Sequence, residues 1–328
     1  MQVTVIIPNY NGERWLTPCL DSLAAQTRPA RRVVVVDNGS RDRSREIILN
    51  HPLTPALIAL DHNTGFAHAV NLGLAAAETE VIALLNADAE ADPRWIEAGL
   101  TALLENPDAD MAASLMLSAR ERDRVDSAGD LLPRDGRPRG RGRDQRAAEF
   151  TEAAEVLSVC AGAAFYRRRL FESVGGFEES FVAYLEDLDF CLRARRRGRI
   201  CLFAPGAVVY HQGAGADLHD RPGKRAYDSS QRVEWIARNR VRLLARNLPW
   251  RALALWSPRL AIGLARSALY HLLSSRQFAA FRRGLGQGIR CLPEDRKFFQ
   301  EDWFPRGRPE ILSGLMELVR EGARPWPQ

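Results

Sequence analysis

Four groups of polar residues in this chain could do chemistry, and each stands beside a short apolar run. Asp37 ends RVVVVD and precedes Asn38-Gly39-Ser40. A carboxylate there can accept hydrogen bonds from a base NH or a ribose hydroxyl, and it can equally close an Asx-turn that ends the strand. Asp88, in NADAE, follows VIALL. A lone carboxylate with water and phosphate oxygens suits Mg2+ or Mn2+, and the same residue also suits a plain turn. YLEDLDF, Tyr184 to Phe190, carries Glu186, Asp187 and Asp189 immediately before CLRARRRG, which reads as a helix. Acids at a helix start complement its dipole. That explains one or two acids and does not require the aromatic frame around them. A general base would have to lie within about 2.6–3.2 Å of the hydroxyl it deprotonates. His211 follows AVVY and precedes QGAG, a place for a structural histidine or for a metal ligand.

The elements that must position these groups alternate along the first third. VTVIIP (Val3 to Pro8), RVVVVD (Arg32 to Asp37), ALIAL (Ala56 to Leu60) and VIALLN (Val81 to Asn86) read as buried strands. Helix signals lie between them, at Trp15 to Gln26, Arg45 to Leu49 and Ala67 to Ala77. This alternation predicts an α/β fold with a mostly parallel sheet and helices on both faces. Such sheets bind ligands beyond the carboxyl ends of their strands. Here those ends carry Asn9–Asn11, Asp37–Ser40, Asp61–Gly65 and Asn86–Asp88. No G-x-G-x-x-G follows the first strand, which disfavours a dinucleotide-binding dehydrogenase. NYNGERW also lacks the Gly-rich, Lys-bearing loop of a nucleotidyltransferase.

The chain has 328 residues, 46% hydrophobic and 27% charged, with a formal net charge of +5. That describes a globular protein with room for one large domain and an extension, or for two smaller domains. Lys224 and Lys297 are its only lysines, so nearly every cation is Arg, whose planar fork suits phosphate. Such a bias also follows from a GC-rich genome. Cys19, Cys160, Cys191, Cys201 and Cys291 form no C-x-x-C pair, which points to a reducing compartment and away from structural zinc. The opening MQVTVIIPNYNG has no leader pattern, and no apolar run reaches the ~18 residues of a spanning helix. A cytoplasmic protein is expected, without nucleic acid as a partner. Residues 120–146, rich in Arg, Asp, Gly and Pro, read as a mobile surface excursion.

Between Gln231 and Leu292 twelve arginines stand against one acid, Glu234. On the helix beginning near Gln231, Val233, Ala237, Val241, Leu244 and Leu248 form an apolar stripe opposite Arg238, Arg242 and Arg246. A second stretch, Leu253 to Phe281, mixes Leu, Ala, Trp256, Tyr270 and Phe278 with further arginines, and basic amphipathic helices of this kind fit an anionic membrane surface, here the inner face of the cell membrane. The alternative is an extension packed on the catalytic domain with its arginines solvated. Two domains follow: residues 1–215, and a basic helical extension over 216–328.

In order, these pieces resemble glycosyltransferase family 2, a GT-A family. The opening VTVIIPNYNGERWLTPCLDSLAAQT, RRVVVVDNGSRD, HNTGFAHAVNLGL, LLNADAE, the long segment from CAGAAFY to ARRRG, and AVVYHQGAG are each similar to a family motif. KRAYDSSQRVEWIARNRVRLLARNLP looks like the rhamnosyltransferase branch, so the resemblance spans residues 2 to 250. It implies a nucleotide-diphospho-sugar transferase fold and inversion at the anomeric carbon. By position, Pro8, Tyr10, Asp37 and Ser40 would bind the nucleotide, and Asn63, Gly65 and Phe66 would line the donor pocket. Asp88 would hold a Mg2+ or Mn2+ that bridges the diphosphate, with His211 as a second ligand. Asp187 would be the general base, beside Glu186. The family's Asp-x-Asp is here Asn86-Ala87-Asp88, a departure the rhamnosyltransferase branch shares. The implied donor is dTDP-rhamnose, and the acceptor a glycan or lipid-linked hydroxyl. The alternatives are a UDP-hexose or UDP-galactofuranose transferase, or a non-catalytic membrane-surface scaffold. Homo-oligomerisation stays open.

Overall fold

A computed structural model describes residues 1–213, 230–273, 275–301 and 309–326. The expected domain boundary at 215/216 and the start of the KRAYDSS segment lie outside the described residues. The first third folds as β1 (Val3–Asn9), α1 (Glu13–Ala24), β2 (Arg32–Asp37), α2 (Ser44–Asn50), β3 (Ala56–Ala59), α3 (Phe66–Ala75) and β4 (Val81–Leu85). These strands pair in parallel, in the order β4-β1-β2-β3. Successive side chains leave a strand on opposite faces, and both faces here are buried. Val3, Val5 and Ile7 point into one core with α1, α2 and α4 (Trp95–Glu105). Ile6, Val34 and Leu84 point into the other with α3, α5 (Arg168–Val174) and α6 (Glu186–Arg196). That double burial explains the near-continuous apolar runs.

Beyond β4 the sheet is less parallel than the alternation predicts. β5 (Ala89–Ala91) and α4 lead into β6 (Ala109–Ser118), and β7 (Val125–Ser127), β8 (Asp130–Leu131) and β9 (Arg139–Gly140) follow. β10 (Ala154–Val156), β11 (Ala163–Arg167) and β12 (Ile200–His211) complete this part. β11 inserts antiparallel between β4 and β6, while β12 runs parallel to β6. Consequently β4, β6 and β12 all point the same way. Residues 120–146 are not the mobile excursion expected from their composition. They hold β7 against β6 and form the β8–β9 hairpin. Gly142 packs on Phe150, and Arg141 lies over the Phe150 and Phe203 rings.

The last third is helical: α7 (Ser230–Asn247), α8 (Trp250–Leu272), α9 (Ser275–Arg290), α10 (Leu292–Glu301) and α11 (Pro309–Glu321). A final strand, β13 (Ala323–Pro325), pairs with β10 at the edge of the central sheet. Among the described residues no helix is long and apolar enough to cross a membrane. The α7 stripe is core: Val233, Ala237 and Leu248 are buried, and Leu248 joins Leu188, Trp256 and Leu318 in one cluster. The arginines opposite are not solvated or free for lipid, contrary to expectation. Arg242 and Arg246 are buried. Arg242 grips Asp295 with two bonds of 3.0 and 3.1 Å. Arg246 reaches Glu178 at 2.7 Å, Asp295 at 3.2 Å and Asp189 at 3.3 Å. A sequence window around α7 contains none of these acids, so the burial could not be read there.

Candidate active site

The carboxyl ends of β1, β2, β4 and β12 lie at one edge of the sheet, and the polar residues expected there converge on it. At the β1–β2 end, Asn9 stands beside Asp37 in register and donates to its Oδ1 at 2.9 Å. Asp37 Oδ2 accepts from Arg45 at 2.7 Å and from the Ser40 N–H at 3.3 Å. Asp37 is fully buried. The Asx-turn left open above is therefore present, with a salt bridge added. Ser40 Oγ accepts from the Asn11 N–H at 2.8 Å, and Pro8 and Tyr10 sit half-buried on the same strand end.

Asn38, which the sequence reading passed over, ties this turn to the next loop. Its Oδ1 accepts from the Thr64 N–H at 2.8 Å, and its Nδ2 donates to the Gly65 carbonyl at 2.9 Å and to Asn63 Oδ1 at 3.2 Å. Gly65 has φ +96, and a Cβ there would come within 2.8 Å of the Val182 carbonyl. Only glycine tolerates both the conformation and the contact. Phe66 then opens α3, half-buried. Because the Ala67 N–H also donates to Val182, the Asn63–Phe66 loop rests directly on residues 181–185.

At the β4–β12 end, Asp88 Oδ1 lies 3.3 Å from His211 Nε2. Asp126, from β7, accepts at 2.7 Å on His211 Nδ1. Burial alone would lower the imidazole pKa, but Asp88 and Asp126 outweigh it and push it up to about 10. Asp126 is itself held below the usual carboxylate range: burial raises it, and His211 and Arg143 more than offset that. An outer carboxylate that fixes a histidine tautomer and orients its other nitrogen is the arrangement found around metal-binding histidines. Among the described residues no group of three or more His, Cys, Asp or Glu side chains could hold a metal. Asp88 and His211 are donor types that would suit a divalent ion completed by diphosphate oxygens and water, once the imidazole gives up the proton that Asp88 and Asp126 stabilise.

Asp187 reaches the same edge through the turn before β11. The Ala161 N–H donates to its Oδ2 at 3.1 Å, while the Gly162 carbonyl accepts from the Asn86 N–H at 2.9 Å. The Leu188 N–H holds Asp187 Oδ1 at 2.8 Å. Burial raises the Asp187 pKa, with these amides opposing it. Glu186 is pushed well above the carboxylate range by burial and then by the Asp187 charge, and its Oε2 is buried without a hydrogen-bond partner. Asp130 from β8 is raised to about 7 by burial and by Asp187, although Ser158 donates to it at 2.7 Å. Asp126 and Asp130 carried no sequence signal beyond their place in an Arg/Gly-rich stretch.

The loop leading into α6 is unusual. Val182, Tyr184 and Leu185 have φ of 66, 70 and 70, a left-handed region that costs a non-glycine residue on the order of 1 kcal/mol or more. Asn239, fully buried on α7, holds it. Its Nδ2 lies 2.9 Å from the carbonyls of Phe181 and Ala183 and 2.8 Å from that of Tyr184. Arg238 adds a bond to the Phe181 carbonyl at 2.7 Å and one to Asn239 Oδ1 at 2.9 Å. Behind the loop, burial would raise the Asp189 pKa, but Arg193, Arg246 and Asn247 hold it low.

The model of the family described as Glycosyl transferase family 2 matches residues 4–175, just over half of the chain. An uncharacterised glycosyltransferase of Nostoc sp. is 42% identical over 91 residues, 27% of this chain and 28% of its own. The O-antigen biosynthesis protein RfbC of Myxococcus xanthus is 29% identical over 225 residues, 65% of this chain and 17% of its own. The matches therefore span less than a third of either relative. A mannosyltransferase from Pyrobaculum calidifontis, solved with GDP-Man and Mn2+, superposes with a TM-score of 0.54 over 97% of this chain and 86% of its own, at 19% identity. That likeness establishes the GT-A fold.

Proposed function

Because the chain belongs to glycosyltransferase family 2, we propose that it is an inverting transferase that moves rhamnose from dTDP-rhamnose to a hydroxyl of a glycan or lipid-linked acceptor. The observation that carries this reading is the convergence of Asp187, Asp88 and His211 on one sheet edge through contacts from β4, the turn before β11, and β12. In this reading Asp187 accepts the proton of the acceptor hydroxyl as its oxygen attacks the anomeric carbon. The bond from that carbon to the diphosphate breaks, and the nucleoside diphosphate leaves. Burial raises the pKa of Asp187, which favours proton uptake, and the Ala161 and Leu188 amides aim its carboxylate. Glu186 lies beside it in the acceptor site.

Asp88 and His211 would hold Mg2+ or Mn2+, with Asp126 fixing the His211 ring. When bound, the ion neutralises charge on the departing diphosphate. Pro8, Tyr10, Ser40 and the Asp37 turn receive the nucleotide, and Asn63, Gly65 and Phe66 line the donor pocket. Residues 1–215 make the catalytic unit and 216–328 the extension, which holds the enzyme on the cytoplasmic face of the membrane.

A donor screen by nucleotide release tests the reading, using dTDP-rhamnose, UDP-glucose, UDP-galactose and GDP-mannose with and without Mn2+. Metal-enhanced release from dTDP-rhamnose, with an inverted product by NMR, is expected. Release from a UDP-sugar alone would replace the donor, and no release from any donor with a supplied acceptor would overturn transfer.

A further inference from the structure

Eleven large apolar side chains are exposed among the described residues, and nine of them lie between Trp250 and Ile289. Seven belong to α8 itself. Its inner side is fastened to the protein. Ala252, Trp256 and Gly263 are buried, and a Cβ at Gly263 would meet the Asp135 carbonyl at 2.2 Å. Arg240 of α7 donates to Ser267 Oγ at 3.0 Å. The outer side carries Leu255, Ile262 and Leu269 at seven-residue intervals and then Leu273, all on one face of a 3.6-residue helix. Leu273 is 94% exposed, and the other three are 58–67% exposed.

The same face carries Arg251, Arg259 and Arg266, all exposed and without an ion pair among the described residues. No acid occurs from Trp235 to Pro293. Arg242 and Arg246 of α7 are consumed by buried ion pairs and Arg238 and Arg240 by hydrogen bonds to carbonyls, whereas Arg251, Arg259 and Arg266 of α8 are exposed. We propose that the outer face of α8 docks on an anionic lipid bilayer, with the leucines and Ile262 entering the headgroup boundary and the arginines reaching lipid phosphates. Charge complementarity selects this occupant. Arginine stems lie along apolar surface while the guanidinium stays at the headgroups. A symmetric pairing with a second copy would instead bring a face whose only charges are cationic against itself, with no acid to offset the repulsion.

This inference deepens the membrane part of the functional reading, which it narrows from the whole extension to the outer face of α8. Its readout uses no sugar donor, so it can fail while transfer stands, and transfer can fail while it stands. The experiment is co-sedimentation of the full chain with vesicles of phosphatidylglycerol and phosphatidylcholine, against vesicles of phosphatidylcholine alone. Pelleting with the anionic vesicles that weakens as salt rises is expected. Arg259→Gln with Arg266→Gln should lower partitioning roughly thirtyfold, about fivefold for each arginine removed. Leu255→Glu with Ile262→Glu should abolish it. Both pairs are exposed, so circular dichroism and the melting temperature should stay those of the parent. If Leu255→Glu with Ile262→Glu did perturb folding, Ile262→Ala and Leu269→Ala would give the graded loss instead. A folded parent that never pellets, or double variants that pellet as well as it does, would overturn the inference. So would a lipid-free dimer that the glutamate pair converts to monomer.

Discussion

The carboxamide of Asn239 lies 2.8 Å from the carbonyl of Tyr184, two residues before the acids that open α6. The same nitrogen also serves Phe181 and Ala183, so one side chain of the extension gathers a loop whose backbone is left-handed at three non-glycine positions. Asn239→Asp is nearly isosteric but turns an acceptor toward three carbonyls. It should lower kcat on the order of 10²-fold through misplacement of Asp187, while the donor Kd changes only a few-fold. Steady-state kinetics with separate donor titration checks this. Equal losses in kcat and donor affinity would mean that Asn239 only supports the fold.

Asp187→Asn preserves shape and removes the proton acceptor. Transfer should fall about 10²–10⁴-fold, the usual worth of a positioned base. Nucleotide affinity by calorimetry should be nearly unchanged, because the base acts on the acceptor. Activity within a few-fold of the parent would take Asp187 out of the base role.

Asp88→Ala should abolish the Mn2+ enhancement of dTDP or UDP binding. Asp126→Asn should weaken metal affinity about 10–100-fold, the range seen when a partner that orients a metal-ligating histidine is removed. Calorimetry with and without Mn2+ reads both. An undiminished enhancement in Asp88→Ala would show that another residue holds the ion.

The parallel half of the sheet was readable because β1, β2 and β4 bury both faces and so must be apolar throughout. Asp88, Asp187 and His211 were readable because each adjoins such a run or the helix it feeds. Asp126 and Asp130 were not. Their segment is polar, and its order comes from contacts such as Arg141 on Phe203 and Arg240 on the Asp135 carbonyl, which local composition does not encode. For the same reason α7 looked like a membrane helix. The acids that take up Arg242 and Arg246 lie 53 and 57 positions away. Burial against distant partners, not local pattern, decided which helix kept free arginines.

The Asp189, Arg246 and Asp295 network should be sensitive to the loss of any one member. Removing one partner of a buried pair costs about 3–5 kcal/mol, because the other charge is stranded. Arg246→Ala should lose that much in urea unfolding, and Asp295→Asn less, since an amide keeps part of the bonding. The folded pKa of Asp189 is depressed. Its contribution is therefore present above the unfolded value of about 3.9 and is lost as pH falls through the folded value. Acid unfolding of Arg246→Ala should show a smaller component of this kind, because Arg193 and Asn247 still hold Asp189.

Asp130 titrates in the opposite sense. Its folded pKa is raised to about 7, against about 3.9 when unfolded. The folded state therefore binds a proton that the unfolded state releases between those values, and stability falls as pH rises from about 4 to 7. Above pH 7 the full penalty is present, from burial of the charge first and from the charge of Asp187 second. Asn at this position keeps a polar group for Ser158 and carries no charge. Asp130→Asn should thus raise the melting temperature at pH 8 and change it little at pH 4, measured without metal or nucleotide. A stabilisation of the same size at both pH values would assign the effect to packing and not to charge. A loss of stability at pH 8 would mean that the ionised carboxylate is favoured in the fold.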